Sequence, residues 1–439
     1  MKSLNIKGTI FGCILALSLI AFITSCKIDD LNNPNGASLE EVVADATVSD
    51  LNSLVSGTEA LMRFDVGFYY DAVGIVGREY WRFTGSDPRY TADLLGAAPL
   101  DNNTFYTTRS FAGRYRAIRS TNILLDAVQN TKADLTDAQK NGYRGFAKTI
   151  QAYQLLLVLN QQYQNGVRVD VKDPDKLGPF VSYDESLKFI SDLLTEASGN
   201  LSTAGESFAF TLSSGFSGFS TPGDFNLFNQ ALLARVELYR GNFAASEAAL
   251  NKSFVDVDAD LEKGVYMFFS TAGGDEANPI SYPPGTKDGL VAHPSFIDSL
   301  EANDDRASKV LKRAESITLD DLTSEYDVVT YPTKSSNVPI IKNEELILID
   351  AEIKVQNQAF GDAVALINAV RNGHGLIDYQ GPATTDALIN EILKQRFLSL
   401  YQEGHRWVDM RRLGKLSELP LDRPGDQVWE QFPRPLTEN

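Results

Sequence analysis

Carboxylates and arginines are concentrated in one stretch near the C-terminus of the 439-residue chain. Glu403 and Asp409 lie among Arg396, Arg406 and Arg412. Two facing carboxylates could act as a general acid and a general base, or bind a metal ion. An arginine within reach of each acid favours the ionised carboxylate, however, and a general acid needs the opposite shift. The cluster is therefore interpreted as a salt-bridged helix junction with a structural role.

The remaining sequence contains few groups suited to catalysis. The 3 histidines, His293, His374 and His405, are far apart and lack the i, i+4 spacing and the cysteine partners of a zinc site. There is no G-x-S-x-G elbow, no phosphate-binding loop and no G-x-G-x-x-G after a strand. The acidic pairs at 304–305 and 320–321 are interpreted as solvated surface rather than calcium ligands. The sequence predicts no catalytic residue, metal site or cofactor, and it disfavours an enzyme.

Aromatic rings, arginines and acids occur together in a short segment after residue 77. Sugars present C–H faces that stack on rings, and hydroxyl edges that hydrogen-bond to guanidinium and carboxylate groups. The predicted ligand-binding residues are Tyr80, Trp81, Arg82, Phe83, Asp87, Arg89, Tyr90 and Tyr106. Further candidates from other segments are Phe216, Phe219 and Tyr282. The alternative, that Trp81 and Phe83 only anchor the segment to the body of the protein, stays open.

The N-terminus has the organisation of an export signal. Lys2 and Lys7 precede an apolar run over residues 10–23. This run is shorter than the roughly 20 residues of a membrane-spanning helix. The next residues, Thr24-Ser25-Cys26, complete a pattern that resembles the lipobox of bacterial lipoproteins, in which the cysteine is lipidated. We predict a lipoprotein signal peptide over residues 1–25; an ordinary signal peptide with a chance cysteine is the alternative.

Cys26 is predicted to be the lipid anchor. The chain has 2 cysteines, and the other, Cys13, lies inside the signal, so Cys26 has no intrachain partner. Residues 26–40 are predicted to be a flexible tether; its Asp29 and Asp30 resemble a surface-export signal, or are simply a solvated linker. The formal net charge of -18 repels phosphate backbones, so nucleic acid is not an expected partner.

Helical periodicity dominates the rest of the chain. Apolar residues recur every three or four positions over 115–128 and 143–163, and Ser182 with Glu185 forms the capping box of a further helix. Two segments share a spacing typical of tetratricopeptide hairpins. In each, a small residue (Ala234, Ala351) precedes a phenylalanine (Phe243, Phe360), and another small residue follows (Ser246, Ala363). We predict a mainly α-helical body over 41–439.

The predicted body has a framework of tetratricopeptide-like helical hairpins and an irregular part. The framework covers about 111–260 and 340–416. Segments rich in glycine, serine and proline, which break regular structure, cover about 77–111, 205–226 and 271–340. Because binding groups are often carried by loops on a rigid scaffold, these loop-rich regions are expected to form the ligand face.

The C-terminal run has the most specific pattern of the body. Residues 388–414 predict an amphipathic helix ended by Gly404 and followed by further charged residues. Arg396, Glu403, Gly404, Arg406, Asp409 and Arg412 resemble the E-R-x-x-E-L-x-x-E-G-x-R-x-x-D-L-x-R signature of the SusD/RagB-like family. Gln395 and Ser399 replace two glutamates of that signature, which predicts a thinner ion-pair network. Segments 231–243, 367–376 and 433–439 match other parts of the family pattern.

This resemblance implies a nutrient-binding lipoprotein of the Gram-negative outer membrane that faces the cell exterior. Such a protein would capture an oligosaccharide or another nutrient and deliver it to a SusC-like, TonB-dependent transporter. Two alternatives stay open. A surface glycoside hydrolase would use two carboxylates about 5 to 10 Å apart. A tetratricopeptide adaptor would bind only protein.

Overall fold

The computed structural model describes residues 39–438 of the chain. Most of the predicted tether, the signal peptide and Cys26 therefore lie outside the described residues. The last positions of the predicted tether belong to a short helix, because Leu39 already begins α1. No helix within 39–438 combines the length and the apolar composition needed to cross a bilayer.

The described body is mainly helical, as predicted. In chain order the helices are α1 (Leu39–Asp45), α2 (Val48–Arg63), α3 (Val66–Val76), α4 (Phe105–Asn130), α5 (Asp137–Gln162), α6 (Tyr183–Leu201), α7 (Pro222–Tyr239), α8 (Phe243–Leu250), α9 (Pro294–Ser299), α10 (Asn343–Gln356), α11 (Phe360–Gly373), α12 (Thr385–Ser399) and α13 (Arg406–Arg412). The strands are β1 (Tyr80–Phe83), β2 (Val167–Arg168), β3 (Phe180–Val181), β4 (Gly264–Met267), β5 (Gly289–Ala292), β6 (Val310–Leu319), β7 (Leu322–Val328) and β8 (Val338–Lys342).

The predicted helix starts and hairpins are present. The Ser182 hydroxyl accepts a hydrogen bond from the Glu185 backbone N–H, and the Ser182 backbone N–H donates to the Glu185 carboxylate, which is the expected capping box of α6. In the α7–α8 hairpin the Ser246 hydroxyl donates to the Ala234 carbonyl oxygen at 2.8 Å. Small residues at this spacing let the two helices approach closely.

Helix α12 ends earlier than the sequence predicts. It stops at Ser399 instead of continuing to Gly404, and the chain turns before α13 begins. Lys309 donates to the carbonyl oxygens of Leu398 at 2.9 Å and Ser399 at 2.5 Å, so its ammonium group caps the helix end. Gly404 has a φ of 80°, a left-handed conformation that favours glycine within this turn.

The predicted loop-rich regions contain a sheet that the sequence pattern did not reveal. Its strand order is β1-β5-β7-β6, with Tyr80 paired to Ala292 and Phe83 to Gly289. Strands β6 and β7 form a hairpin whose turn residues Asp320 and Asp321 both have positive φ. Strands β1 and β5 have 4 residues each and lie far apart in sequence, so local periodicity gave little signal for their pairing. The sheet joins the segment after residue 77 to the region 271–340.

Candidate functional site

The signature cluster is a buried ion-pair network. Asp409 lies between Arg396, whose Nε is 2.7 Å from Asp409 Oδ2, and Arg412, whose Nε is 3.0 Å from Asp409 Oδ1. Arg412 also pairs with Glu352 through two N–H groups. Despite the opposing effect of burial, the two arginines lower the pKa of Asp409 to about 2. The carboxylate is held ionised, as a structural ion pair requires and a general acid does not.

Glu403 departs from the expectation that an arginine faces each acid. Its partner is Lys342, at 3.0 Å, whereas Arg406 donates to the Gly77 carbonyl oxygen and lies over the Phe397 ring at 3.5 Å. Burial raises the pKa of Glu403 to about 7, against the lowering effect of Lys342 and Lys309. The signature therefore splits into an arginine-paired part around Asp409 and a lysine-paired part around Glu403.

The two lost acids of the signature are replaced by neutral acceptors. Arg306 donates to Gln395 Oε1 at 2.8 Å and to Ser399 Oγ at 2.9 Å. Its ion-pair partner is Asp304, which it binds in a bidentate pair with both N···O distances at 2.8 Å. Asp304 thus supplies the carboxylate beside Gln395 and Ser399, and the thinner ion-pair network stays a prediction. The interpretation of the 304–305 pair as solvated surface is wrong for Asp304, which is buried. Its burial is possible because the Arg306 guanidinium group compensates its charge. Asp320 and Asp321 are exposed, as expected.

The structure places most of the predicted ligand-binding aromatics inside the body. Exposure is 5% for Tyr90 and lower for the others, and the buried rings are Tyr80, Trp81, Phe83, Tyr90 and Tyr106. The Tyr80 hydroxyl donates to the Tyr70 carbonyl oxygen, and the Tyr106 hydroxyl donates to Asp93. Burying a large ring in the core stabilises the fold more than leaving it exposed, so these rings pack inside the body. They do not form an exposed surface on which a sugar could stack. Phe216 and Phe219 are also buried.

Arg82, Asp87, Arg89 and Tyr282 are the predicted site residues that reach the surface. Arg82 lies over the Tyr90 ring at 4.4 Å and the Tyr282 ring at 5.2 Å, so the guanidinium group is shared by rings from two distant segments. The β1–β5 pairing brings those segments together. Eleven candidate ligand-binding residues were predicted from the sequence. These four are the ones with exposed side-chain surface, and the other seven are buried.

The arginine and its rings continue into a longer row, which we name the aromatic strip: Tyr282, Arg82, Tyr90, Phe105 and Phe68. The Tyr90 and Phe105 ring centroids are 4.8 Å apart, and those of Phe105 and Phe68 are 5.7 Å apart. Tyr282, Phe105 and Phe68 are partly exposed, so the row is open to solvent at several points.

Two further arginines lie along the aromatic strip. Arg89 lies 4.9 Å from the Phe105 centroid and Arg109 lies 4.2 Å from that of Phe68. Each is oriented by an acid: Arg89 makes two hydrogen bonds to Asp87, at 2.8 and 2.7 Å, and Arg109 makes two to Asp65, at 3.2 and 2.6 Å. The strip therefore combines ring faces with acid–arginine pairs, which together suit the two kinds of sugar surface.

Unused hydrogen-bonding capacity remains at the centre of the strip. Arg82 pairs with Asp71 Oδ2, while Asp71 Oδ1 and Arg82 Nε make no hydrogen bond among the described residues. Burial raises the pKa of Asp71, and Arg82 acts in the opposite direction. One acceptor and one donor are thus held beside the Tyr90 and Tyr282 rings.

Sequence reasoning missed the far half of the strip. Phe68 and Phe105 lie on α3 and α4, and Arg109 follows Phe105 by one helical turn. That spacing places Phe105 and Arg109 on one helix face and was the available signal. Phe68 gave none, because only the tertiary fold brings it to Phe105.

Within residues 39–438, no group of three or more histidine, cysteine or acidic side chains has the geometry to hold a metal ion. Many charged side chains in the described body pair with each other, and the aromatic strip is a surface where rings and charged groups converge.

Comparison with known proteins points to one family. Residues 316–430 match the model of the SusD family. A SusD superfamily protein from Bacteroides vulgatus is similar in fold, with a TM-score of 0.69 and 16% sequence identity over 89% of this chain and 96% of that chain. Surface glycan-binding protein A from Bacteroides thetaiotaomicron, solved in complex with laminarihexaose, has a TM-score of 0.69 and 16% identity over 89% of this chain and 97% of that chain. No curated protein matches the sequence.

Proposed function

We propose that the chain is a SusD/RagB-like protein, on its family-model match over residues 316–430 and its fold, and that it captures an oligosaccharide at the bacterial cell surface. In this proposal the aromatic strip is the ligand surface. Cys26 carries the lipid anchor in the outer membrane, facing the exterior, and the bound glycan passes to a SusC-like, TonB-dependent transporter.

The arrangement of the aromatic strip is the observation that carries the proposal. Arg82 is fixed between Tyr90 and Tyr282, and the next rings follow at 4.8 and 5.7 Å. The partly exposed rings Tyr282, Phe105 and Phe68 offer stacking to residues of a glycan chain, the buried Tyr90 supports them from below, and the flanking acids and guanidinium groups offer hydrogen bonds to hydroxyls. Laminarihexaose, which the glycan-binding relative holds, is the natural first probe.

Binding without turnover is the expected chemistry. The signature carboxylate Asp409 is ionised and committed to two arginines, so it is unsuited to donate a proton to a glycosidic oxygen. Asp65 and Asp87 on the strip are likewise engaged with Arg109 and Arg89. We propose a carrier rather than a glycoside hydrolase.

Calorimetry with a panel of hexasaccharides tests the carrier proposal. The panel is laminarihexaose, maltohexaose and cellohexaose, each titrated into the mature protein. Tyr282→Ala is expected to weaken binding about tenfold, which corresponds to about 1.4 kcal/mol for one lost ring contact. Tyr379→Ala, another partly exposed tyrosine outside the strip, is the matched control and should leave affinity unchanged.

Product analysis on the same samples separates a carrier from an enzyme. Shortened oligosaccharides after incubation with purified protein would overturn the carrier proposal. If Tyr282→Ala and Tyr379→Ala bound the glycan with equal affinity, the aromatic strip would not be the ligand surface. Co-purification of the lipidated protein with a large outer-membrane β-barrel checks the transporter partnership, and recovery without such a partner would favour an adaptor or a free-standing receptor.

A further inference from the structure

A second concave surface shares with the strip the loop that carries Tyr282. It is a cavity of about 390 Å³ between α2, the glycine- and serine-rich segment 211–216 and strand β4. Asp275 lines it, seven residues before Tyr282 in the same loop. The volume is within the range of small-ligand pockets.

The cavity has polar groups with unused hydrogen-bonding capacity. Arg63 donates through a single nitrogen, Nη1, to the Phe268 carbonyl oxygen at 2.7 Å and to Asp275 at 2.6 Å, which leaves its other N–H groups for a ligand. Glu59, one helical turn earlier, accepts a hydrogen bond from the Ser213 backbone N–H, at 3.2 and 3.3 Å from its two oxygens, and interacts with the Ser213 side chain. A guanidinium group and a carboxylate therefore line one cavity in fixed orientations.

Apolar and aromatic residues form much of the remaining wall, and the backbone around them is held in place. Met62, Phe216, Tyr266 and Phe268 line the cavity beside the polar pair. Gly215 packs so closely on the Tyr266 carbonyl oxygen that any side chain there would clash with it. The segment is thus fixed at two points, Gly215 on β4 and Ser213 on Glu59, so the cavity is preformed.

We propose that this cavity is a second carbohydrate subsite, which takes a mono- or disaccharide unit against its aromatic wall with Arg63 and Glu59 on the hydroxyls. The ligand class rests on the proposed function, whereas the cavity itself is separate from the aromatic strip. Because both surfaces flank one loop, a single branched or long glycan could engage both, and the second contact would then raise affinity through effective concentration.

Filling the cavity from its rim tests the proposal with little risk to the fold. Ser56 is exposed on α2 and lines the cavity, whereas Ser53 is exposed on the same helix outside it. Ser56→Trp and Ser53→Trp are compared in the otherwise native protein and in the Tyr282→Ala background. The probes are laminaribiose, maltose, cellobiose and their hexasaccharide counterparts. Thr211→Trp, on the opposite rim, replaces Ser56→Trp if that variant does not fold.

The expected result is disaccharide binding that persists in Tyr282→Ala, is lost with Ser56→Trp and is unchanged with Ser53→Trp. Hexasaccharide affinity should also fall at least severalfold with Ser56→Trp alone. Equal affinities for the two tryptophan variants in both backgrounds would overturn the second subsite and leave the aromatic strip intact. If the unmodified protein bound none of the probes, the proposed function would fail and this subsite with it.

Discussion

The C-terminal signature and the aromatic strip use the same side-chain types in opposite surroundings. Around Asp409, arginines and acids are almost fully buried: Arg396 and Arg412 both donate to Asp409, and Arg412 also donates to Glu352. Two buried nitrogens of Arg396, Nη1 and Nη2, have no hydrogen-bond partner among the described residues. Along the strip, the side chains of Arg89 and Arg109 are 45% and 52% exposed. Burial turns an arginine–acid pair into a fixed part of the fold, whereas exposure leaves the same pair available to a ligand.

This contrast also explains why the most specific sequence pattern carries no proposed binding role. The signature residues join α12, α13 and α10, and the fold depends on their exact partners. The strip depends on surface chemistry that several different residues could supply. In this chain the most recognisable sequence motif lies in the buried ion-pair network that joins these helices, and not on the proposed ligand surface.

Removing one acid from the buried network gives the largest expected effect on stability. Asp409→Asn keeps the size of the side chain but leaves Arg396 and Arg412 short of negative charge. Breaking a buried ion pair in this way costs about 3–5 kcal/mol, because a buried charge is left uncompensated. Urea unfolding followed by circular dichroism measures the loss.

The matched control for Asp409→Asn is an exposed pair of the same type. Lys188 and Asp192 face each other on α6 with both side chains more than half exposed, so Asp192→Asn should change stability by less than about 0.5 kcal/mol. If both variants lost the same amount, burial would not be what distinguishes the two regions.

A pH experiment sharpens the comparison at the boundary between the regions. Glu79 directly precedes strand β1 and is buried near Glu403, and burial raises its pKa from 4.5 to about 8, partly opposed by Arg406. The folded protein therefore holds a proton that the unfolded chain releases above its own pKa. Stability from this group is fully present below about pH 4.5 and declines as the pH rises toward 8.

Glu79→Gln mimics the protonated form and should abolish this part of the decline. The variant is expected to be more stable than the native protein at pH 8, by about 4 kcal/mol, and similar to it at pH 4.5. The difference between the two unfolding free energies across that range is the readout. A difference that does not change with pH would show that Glu79 is ionised in the folded protein.

The sequence was sufficient for the helical framework but not for the sheet or the strip. The capping box at Ser182 and the small residues of the α7–α8 hairpin are local patterns, and local hydrogen bonds and close packing realise them directly. The strip instead combines residues from α3, β1, α4 and the loop before β5. Their contacts depend on the pairing of β1 with β5, and no short-range periodicity encodes that pairing.

The same limit explains the placement of the predicted aromatics. Composition correctly marked the segment after residue 77 as rich in rings and arginines. It could not tell which faces of a short strand turn inward. In β1, Trp81 and Phe83 pack into the core, while Arg82 between them points to the surface. That Arg82 is the residue of β1 that reaches the surface could be assigned only after the strand itself was known.

The smallest expected effect lies at the far end of the strip, and it tests whether the row acts as one surface. Arg109 lies over the Phe68 ring and is held by Asp65, both near the protein surface. Arg109→Ala removes one exposed cation–π contact and one set of hydrogen-bond donors, which is worth about 0.5–1 kcal/mol. Hexasaccharide binding should therefore weaken about two- to fivefold, while disaccharide binding in the cavity lined by Arg63 and Glu59 stays the same. Arg144→Ala, an arginine on α5 outside the strip, is the control. Equal weakening for short and long probes would mean that Arg109 acts on the fold rather than on an extended ligand.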